Sequence, residues 1–262
     1  MTILDELAAY AKERTRANQE KVPFSVLREQ AESLPTSAFA FEKTLKKEGV
    51  SFICECKKAS PSKGLISEDF PYLQIAAEYE EAGADCISVL TEPKWFLGSD
   101  LYLQEISQKV SIPCLRKDFT VDPYMIYEAK VLGASAVLLI CSILSPSQVS
   151  EYIGICDSLG LSAIVETHDE KEVSDAISSG ARIIGVNNRN LKDFSVDTGN
   201  SASLRKLVPP EVIFIAESGI KTAEDVRSLR KIGVDAVLVG ETLMRAKDKK
   251  AMLRELRGDE IR

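Results

Sequence analysis

Five short phrases along the chain place carboxylates beside cations or amides in a way that suits proton transfer better than packing: Glu55-Cys56-Lys57, Lys117-Asp118, Val165-Glu166, Asn187-Asn188-Arg189 and Glu217-Ser218. Each closes an apolar run. In an extended segment the period of two puts Glu55 and Lys57 on one face and Cys54 and Cys56 on the other. The same parity aligns Leu115 with Lys117, Ile164 with Glu166, Asn187 with Arg189 and Ile215 with Glu217. Carboxylates Glu55, Glu166 and Glu217 gathered with cations Lys57, Lys117 and Arg189 shift one another's pKa values, which makes an acid–base site. The structural alternative packs the cysteines inward and leaves the charges outside, where charged groups lodged among outer helices are costly unless paired.

Two further turns suggest what the site holds. Glu217-Ser218-Gly219-Ile220 and Gly240-Glu241-Thr242 follow the last two apolar runs, where backbone N–H groups can converge on a phosphate. Either turn alone is a weak signal; as a pair they point to a phosphorylated small molecule.

The elements that must position these groups recur regularly. Eight apolar runs appear, at 52–57, 85–90, 112–116, 136–141, 162–166, 182–186, 212–216 and 235–239. Between them lie segments of helical periodicity, including 72–82, 122–132, 146–159, 169–179 and 222–232, each followed by a glycine suited to a helix C-cap. The phrases AGADCISV, LGASAVLL and IGVDAVLV repeat one junction, a helix end leading into a buried parallel strand. Eight such units with right-handed crossovers predict an α/β fold, a single (β/α)8 TIM barrel spanning 1–262. A doubly wound sheet is the alternative. Residues 1–50 precede the first strand and are expected to pack on the barrel as a helical extension, with helices over 3–18 and 37–47 and an intervening loop marked by Pro23 and Pro35.

Composition narrows the class. At 262 residues and 45% hydrophobic, the chain can fill one large core. A net charge of −7 speaks against nucleic acid or an anionic membrane as partner, so an anionic substrate must find a local basic site. The six cysteines lie mostly in apolar runs, without the spacing of a disulfide framework, and point to a reduced, cytoplasmic protein. Residues 1–20 lack the apolar core of a signal peptide, and no later run reaches the roughly 18 apolar residues of a membrane span. His168, the single histidine, has no partner at metal-ligand spacing and reads as a loop or helix-start residue; no metal is expected.

In order, ECKKASPSKG (55–64), TEPKWFLGS (91–99), LRKDF (115–119), VETH (165–168), IGVNNRNL (184–191), AESGI (216–220) and VLVGETLM (237–244), with FEKTLK (41–46) before them, resemble the indole-3-glycerol-phosphate synthase family over essentially the whole chain. The resemblance implies a cofactor-free carboxy-lyase of tryptophan biosynthesis, favoured as a monomer. Its reaction closes, decarboxylates and dehydrates 1-(2-carboxyphenylamino)-1-deoxyribulose 5-phosphate to indole-3-glycerol phosphate. It implies catalytic parts for Lys117, Glu166, Lys57, Glu55 and Asn187, and substrate contacts from Ser60, Phe96, Phe119, Arg189, Glu217 and Leu238, with Leu138 and Leu191 as further apolar contacts. Phosphate contacts fall on Ser218, Gly219, Gly240 and Glu241; Glu241 stands where some members carry serine, so its carboxylate is expected to face away from the ligand. Phosphoribosylanthranilate isomerase, another phosphate-binding barrel, is the alternative enzyme, but it pairs a cysteine base with an aspartate acid. A metabolite-binding relative without catalysis is the non-enzyme alternative, and the intact lysines and glutamates speak against it.

Overall fold

The structure, a computed structural model, describes residues 2–190 and 194–258. The chain opens with three helices, α1 (Ile3–Lys21), α2 (Phe24–Ser33) and α3 (Ala40–Leu45), and then enters β1 (Ser51–Cys56). A small antiparallel hairpin of β2 (Ala59–Ser60) and β3 (Gly64–Leu65) follows. From there strands and helices alternate: α4 (Tyr72–Glu81), β4 (Cys86–Leu90), α5 (Asp100–Lys109), β5 (Cys114–Lys117), α6 (Pro123–Val131), β6 (Ala136–Ile140) and α7 (Pro146–Leu159). The second half continues with β7 (Ser162–Thr167), α8 (Glu170–Ser178), β8 (Ile183–Asn187), α9 (Gly199–Arg205), β9 (Ile213–Glu217), α10 (Ala223–Lys231), β10 (Ala236–Val239), α11 (Glu241–Arg245) and α12 (Lys249–Arg257). The eight longer strands close in the order β1-β10-β9-β8-β7-β6-β5-β4 as a parallel barrel, the (β/α)8 fold expected from the eight runs.

Alternation along each strand divides the apolar residues into two cores. Ile53, Cys86, Leu115, Leu138, Ile164, Ile183, Ile215 and Leu238 fill the barrel interior, whereas Phe52, Cys54, Cys56, Ile87, Val137 and Val237 pack outward against the helices. Cys54 and Cys56 thus lie on the outer face, as parity requires. All six cysteines are free thiols. Among the described residues no helix is long and apolar enough to cross a membrane.

The extension departs from its expected form. The segment read as a loop between Pro23 and Pro35 is α2, with Pro23 at its N-cap and Pro35 beyond its end. Both prolines sit where a missing N–H is harmless, so they bound a helix instead of breaking one. Phe24 meets the rings of Tyr124 and Tyr127 on α6, and Lys130 donates to the Pro35 carbonyl at 2.6 Å.

The other two helices serve opposite ends of the barrel. Phe41 and Leu45 of α3 enter the inner core, while the Glu42 N–H donates to Ser162 Oγ at the start of β7 and its carboxylate accepts from Arg182, just before β8. They plug the amino-terminal end. Leu4 and Leu7 of α1 join the same core and line the cavity at the carboxyl-terminal end.

Candidate active site

That cavity has a volume of about 600 Å³ and lies over the carboxyl ends of the strands. Lys57, Lys63, Lys117, Arg189, Lys221 and Arg245 line it against Glu55, Asp118, Glu166, Glu217 and Glu241. A chain of net charge −7 therefore holds slightly more cations than acids around this one space, which is the local basic site an anionic ligand requires.

Lys117, the last residue of β5 and not one beyond it, reaches the middle of the floor. Its Nζ lies 3.4 Å from Glu166 Oε2 and 3.4 Å from Glu217 Oε2. Glu55 and Lys57 pair beside them. Asn187 Nδ2 donates to Glu166 Oε1 at 3.4 Å. Glu55, Glu166 and Glu217 are buried to within 3% of full enclosure, so their charges act through little solvent and couple strongly.

The electrostatic outcome differs for each group. Burial opposes ionisation of Glu55, but the Lys57 and Lys117 charges hold its carboxyl below the usual range. Burial likewise opposes the Lys117 ammonium, and Glu217, Glu166 and Glu55 outweigh it, keeping the amine protonated far above its usual range. Glu217 is the exception: burial pushes its carboxyl up, Lys117 pulls it down, and Glu166 and Glu55 push it up again, leaving it raised to about 7. Among the described residues Glu217 Oε1 has no hydrogen-bond partner, in keeping with a carboxylate poised near neutrality.

Two glycines make room for this cluster. A Cβ on Gly185 would collide with the Glu217 carboxylate, and one on Gly240 with the Glu55 carboxylate and Lys57 Nζ. Register then sets the heights of the neighbours: Asn187 and Leu238 both pair with Glu217, Leu90 with Lys117, and Ile140 with Glu166. Leu138, paired with Ile164, is apolar floor beneath the ionisable ring, and Leu238 is an apolar neighbour at the height of Glu217.

A pair of aromatic rings and the two glycine turns stand on opposite walls. Phe96 and Phe119 face each other with ring centroids 6.0 Å apart, and Ser60, on β2, lines the same space. Buried Glu92 holds the Phe96 loop by accepting from the backbone N–H groups of Lys94, Trp95 and Phe96 at 2.8–2.9 Å. Ser218 and Gly219 both adopt positive φ, 66° and 84°, and with Gly240 and Glu241 they line the far wall. The Glu241 carboxylate pairs with Arg245 at 3.0 Å and Lys63 at 3.8 Å, both of which line the same cavity. Arg189 keeps its place in the lining, but its guanidinium donates to the Phe194 carbonyl at 3.1 Å, and its N–H to Asn187 Oδ1 at 3.0 Å. Leu191 lies outside the described residues.

Sequence reasoning missed the groups that hold the site from behind. Arg14 of α1 makes a bidentate bond to Asp118, at 2.9 and 2.7 Å, between Lys117 and Phe119. Asp118 also accepts from Thr91 and from the Phe119 N–H. Burial pushes the Asp118 carboxyl up, and Arg14 and then Arg116 bring it below its usual value. No local pattern joins residues 14 and 118. Arg14→Met should lower stability by up to about 3 kcal/mol by removing the bidentate partner of a buried carboxylate, and should raise KM more than it lowers kcat, because Asp118, which holds the Phe119 N–H, is less firmly fixed. Urea unfolding and steady-state kinetics check both. Since the folded pKa is depressed, this stabilisation is present above the unfolded pKa and lost as pH falls through the folded one. The difference between wild type and variant should therefore be full at pH 7 and shrink below about pH 4.

A parallel eight-stranded barrel with half-buried lysines and buried glutamates at its strand ends and two facing glycine turns defines a barrel enzyme of acid–base chemistry. Comparison with known proteins narrows this to one family. The family model for indole-3-glycerol phosphate synthase matches residues 4–256. The indole-3-glycerol phosphate synthase of Ruminiclostridium cellulolyticum is 58% identical, over 98% of this chain and 99% of that protein, and that of Lachnoclostridium phytofermentans is 51% identical, over 97% and 98%. The chain belongs to the indole-3-glycerol phosphate synthase family. Its activity is the carboxy-lyase reaction that forms indole-3-glycerol phosphate in tryptophan biosynthesis. Among solved structures, a tryptophan synthase complex from Pyrococcus furiosus superposes with a TM-score of 0.60 at 16% identity, over 79% of this chain and 98% of that one; at that identity the likeness is one of fold.

Proposed function

We propose that the strand-end residues divide the reaction as follows. The substrate phosphate lies between Ser218-Gly219 and Gly240-Glu241, met by backbone N–H groups. Its aromatic ring lies between Phe96 and Phe119, over Leu138 and Leu238. Ser60, Asn187 and Arg189 hold the carboxylate and sugar hydroxyls, and the ketone comes to rest over Lys117.

The ring carbon bearing the carboxylate attacks the ketone carbon, and negative charge gathers on the ketone oxygen. The Lys117 ammonium gives that oxygen a proton. Carbon dioxide then leaves, and the electrons of the broken bond restore the aromatic ring without a cofactor to receive them. In dehydration Lys57 protonates the departing hydroxyl, Glu166 takes the proton released from carbon, and Glu55, paired with Lys57, orients it. Glu217 orients Lys117. The observation that carries this reading is the ammonium of Lys117 set at 3.4 Å from both Glu166 and Glu217: it is held charged, and its proton has carboxylates beside it.

Purified protein given the carboxyphenylamino sugar phosphate should produce indole fluorescence at the same rate with and without a chelator. Loss of turnover on chelation would overturn the cofactor-free scheme. In a complex with a substrate analogue, the phosphate should bridge Ser218-Gly219 and Gly240-Glu241, and a phosphate bound elsewhere would remove these turns from the site. We take residues 1–262 to act as one domain, as a monomer, in the cytoplasm, without nucleic-acid or membrane partners. The net charge of −7 and the free thiols support this, and light scattering checks the monomer.

A further inference from the structure

His168, the chain's single histidine, follows β7 and stands between two carboxylates. Nδ1 lies 3.2 Å from Glu172 Oε2 and 3.4 Å from Ser142 Oγ. Nε2 lies 3.5 Å from Glu166 Oε1. Glu172, in the first turn of α8, is fixed in turn by the His168 backbone N–H at 2.7 Å and the Ser142 hydroxyl at 2.6 Å. One ring nitrogen is therefore anchored, while the other is buried, has no hydrogen-bond partner among the described residues and faces the carboxylate beside Lys117.

The protonation state follows from this geometry. With Nδ1–H donating to Glu172, a neutral ring leaves a lone pair on Nε2 facing the Glu166 carboxylate, two acceptors buried together with no proton between them. One proton resolves the conflict, carried either as imidazolium N–H toward the carboxylate or as carboxylic O–H toward the ring. Other charged and titratable groups face the pair from every side: Glu172 and Asp169 from α8 and its cap, Glu217 from β9, Lys117 from β5 and the Cys141 thiol after β6. From α9, Asn200 donates to the His168 carbonyl.

We propose that His168 is a positioning residue that shares one proton with Glu166 and so sets the charge Glu166 presents to the substrate. The proposal rests on the part given above to Glu166. The proton moves between Nε2 and Oε1 without leaving the pair, so no further donor is needed, and Glu172 with Ser142 keeps the ring aimed throughout. The electrostatics agree: burial pulls the ring's pKa down, but the Glu172 hydrogen bond and the Glu166 and Glu172 charges outweigh it and hold the ring above its usual value.

A lone histidine makes the test direct, because its ring Cε1–H resonance is unique in an NMR titration of the whole protein. In wild type the midpoint should lie above about 6.5. In Glu166→Gln and Glu172→Gln the proton affinity of the ring should fall about tenfold. A Glu166→Gln midpoint equal to the wild-type value overturns the shared proton. As a second measurement, His168→Gln should move the acid limb of the kcat–pH profile to higher pH, since Glu166 loses a cationic neighbour. A uniform fall in kcat with the profile unmoved would mean that the ring only packs, and would overturn the proposal as well. The titration reads the contact whether or not Glu166 transfers a proton in turnover, whereas kcat of Glu166→Gln decides that role; the two readings therefore fail separately.

Discussion

Lys117→Met is expected to lower kcat at least about 100-fold while substrate still binds through the phosphate turns, because a positioned general acid contributes about 10²–10⁴-fold. In energy that is roughly 3–5.5 kcal/mol, against less than about 1 kcal/mol for an exposed surface charge, so the size of the effect separates the two roles. Methionine keeps the length and packing of the stem and deletes only the charge. Single-turnover experiments should find the block at condensation. Accumulation of a cyclised intermediate would move Lys117 to the dehydration step, and near-normal kcat would leave it a charge that merely lines the mouth.

The structure adds a pH signature to this variant. Lys117 is the cation that pulls the Glu217 carboxyl down against burial, so its loss pushes that carboxyl above about 7. A carboxyl whose folded pKa is raised contributes stability that is fully present below the unfolded value and is lost as pH rises through the folded one. Lys117→Met should therefore lose stability relative to wild type as pH rises through neutrality, and should be best compared kinetically near pH 6, where Glu217 has taken a proton. Chemical unfolding at several pH values checks the sign.

Glu166→Gln is expected to cut kcat by about 10²–10⁴-fold with much less change in KM, since amide and carboxylate share a shape but only the carboxylate accepts a proton. The surroundings sharpen the expectation. Asn187 Nδ2 donates to Oε1, and Lys117 Nζ stands by Oε2, so an amide NH2 must face a donor in either orientation. The variant thus loses both the proposed base and one contact that orders the floor. Full activity would remove Glu166 from the proton transfers.

Much of the placement of the candidate site's residues could be read along the chain because strand geometry is local. Once Cys54-Glu55-Cys56-Lys57 is extended, the pleat alone sends the acid and the lysine to one face and the thiols to the other, and the structure has Cys54 and Cys56 in the outer core. The prolines misled for the opposite reason: a proline marks both loops and the first turn of a helix, and the packing of Leu27 and Ala31 against the outer core decided for α2. Glu92 also escaped notice, because a buried carboxylate that gathers three backbone N–H groups has no periodic signature.

By itself, then, the sequence determined the number of barrel strands, though not the small β2–β3 hairpin, the inward parity of Glu55, Lys117, Glu166, Asn187 and Glu217, and the two turns suited to phosphate, all consequences of the preferences of neighbouring residues. Only the tertiary structure decided which of these groups touch. The Lys117 contacts with Glu166 and Glu217, the Arg14–Asp118 clamp and the His168–Glu166 contact join residues on different elements, at distances that barrel register and closure impose. Coulomb energy between buried charges changes steeply over a few ångströms. The same residue types therefore become an acid, a base or an anchor only when the folded barrel has set those separations.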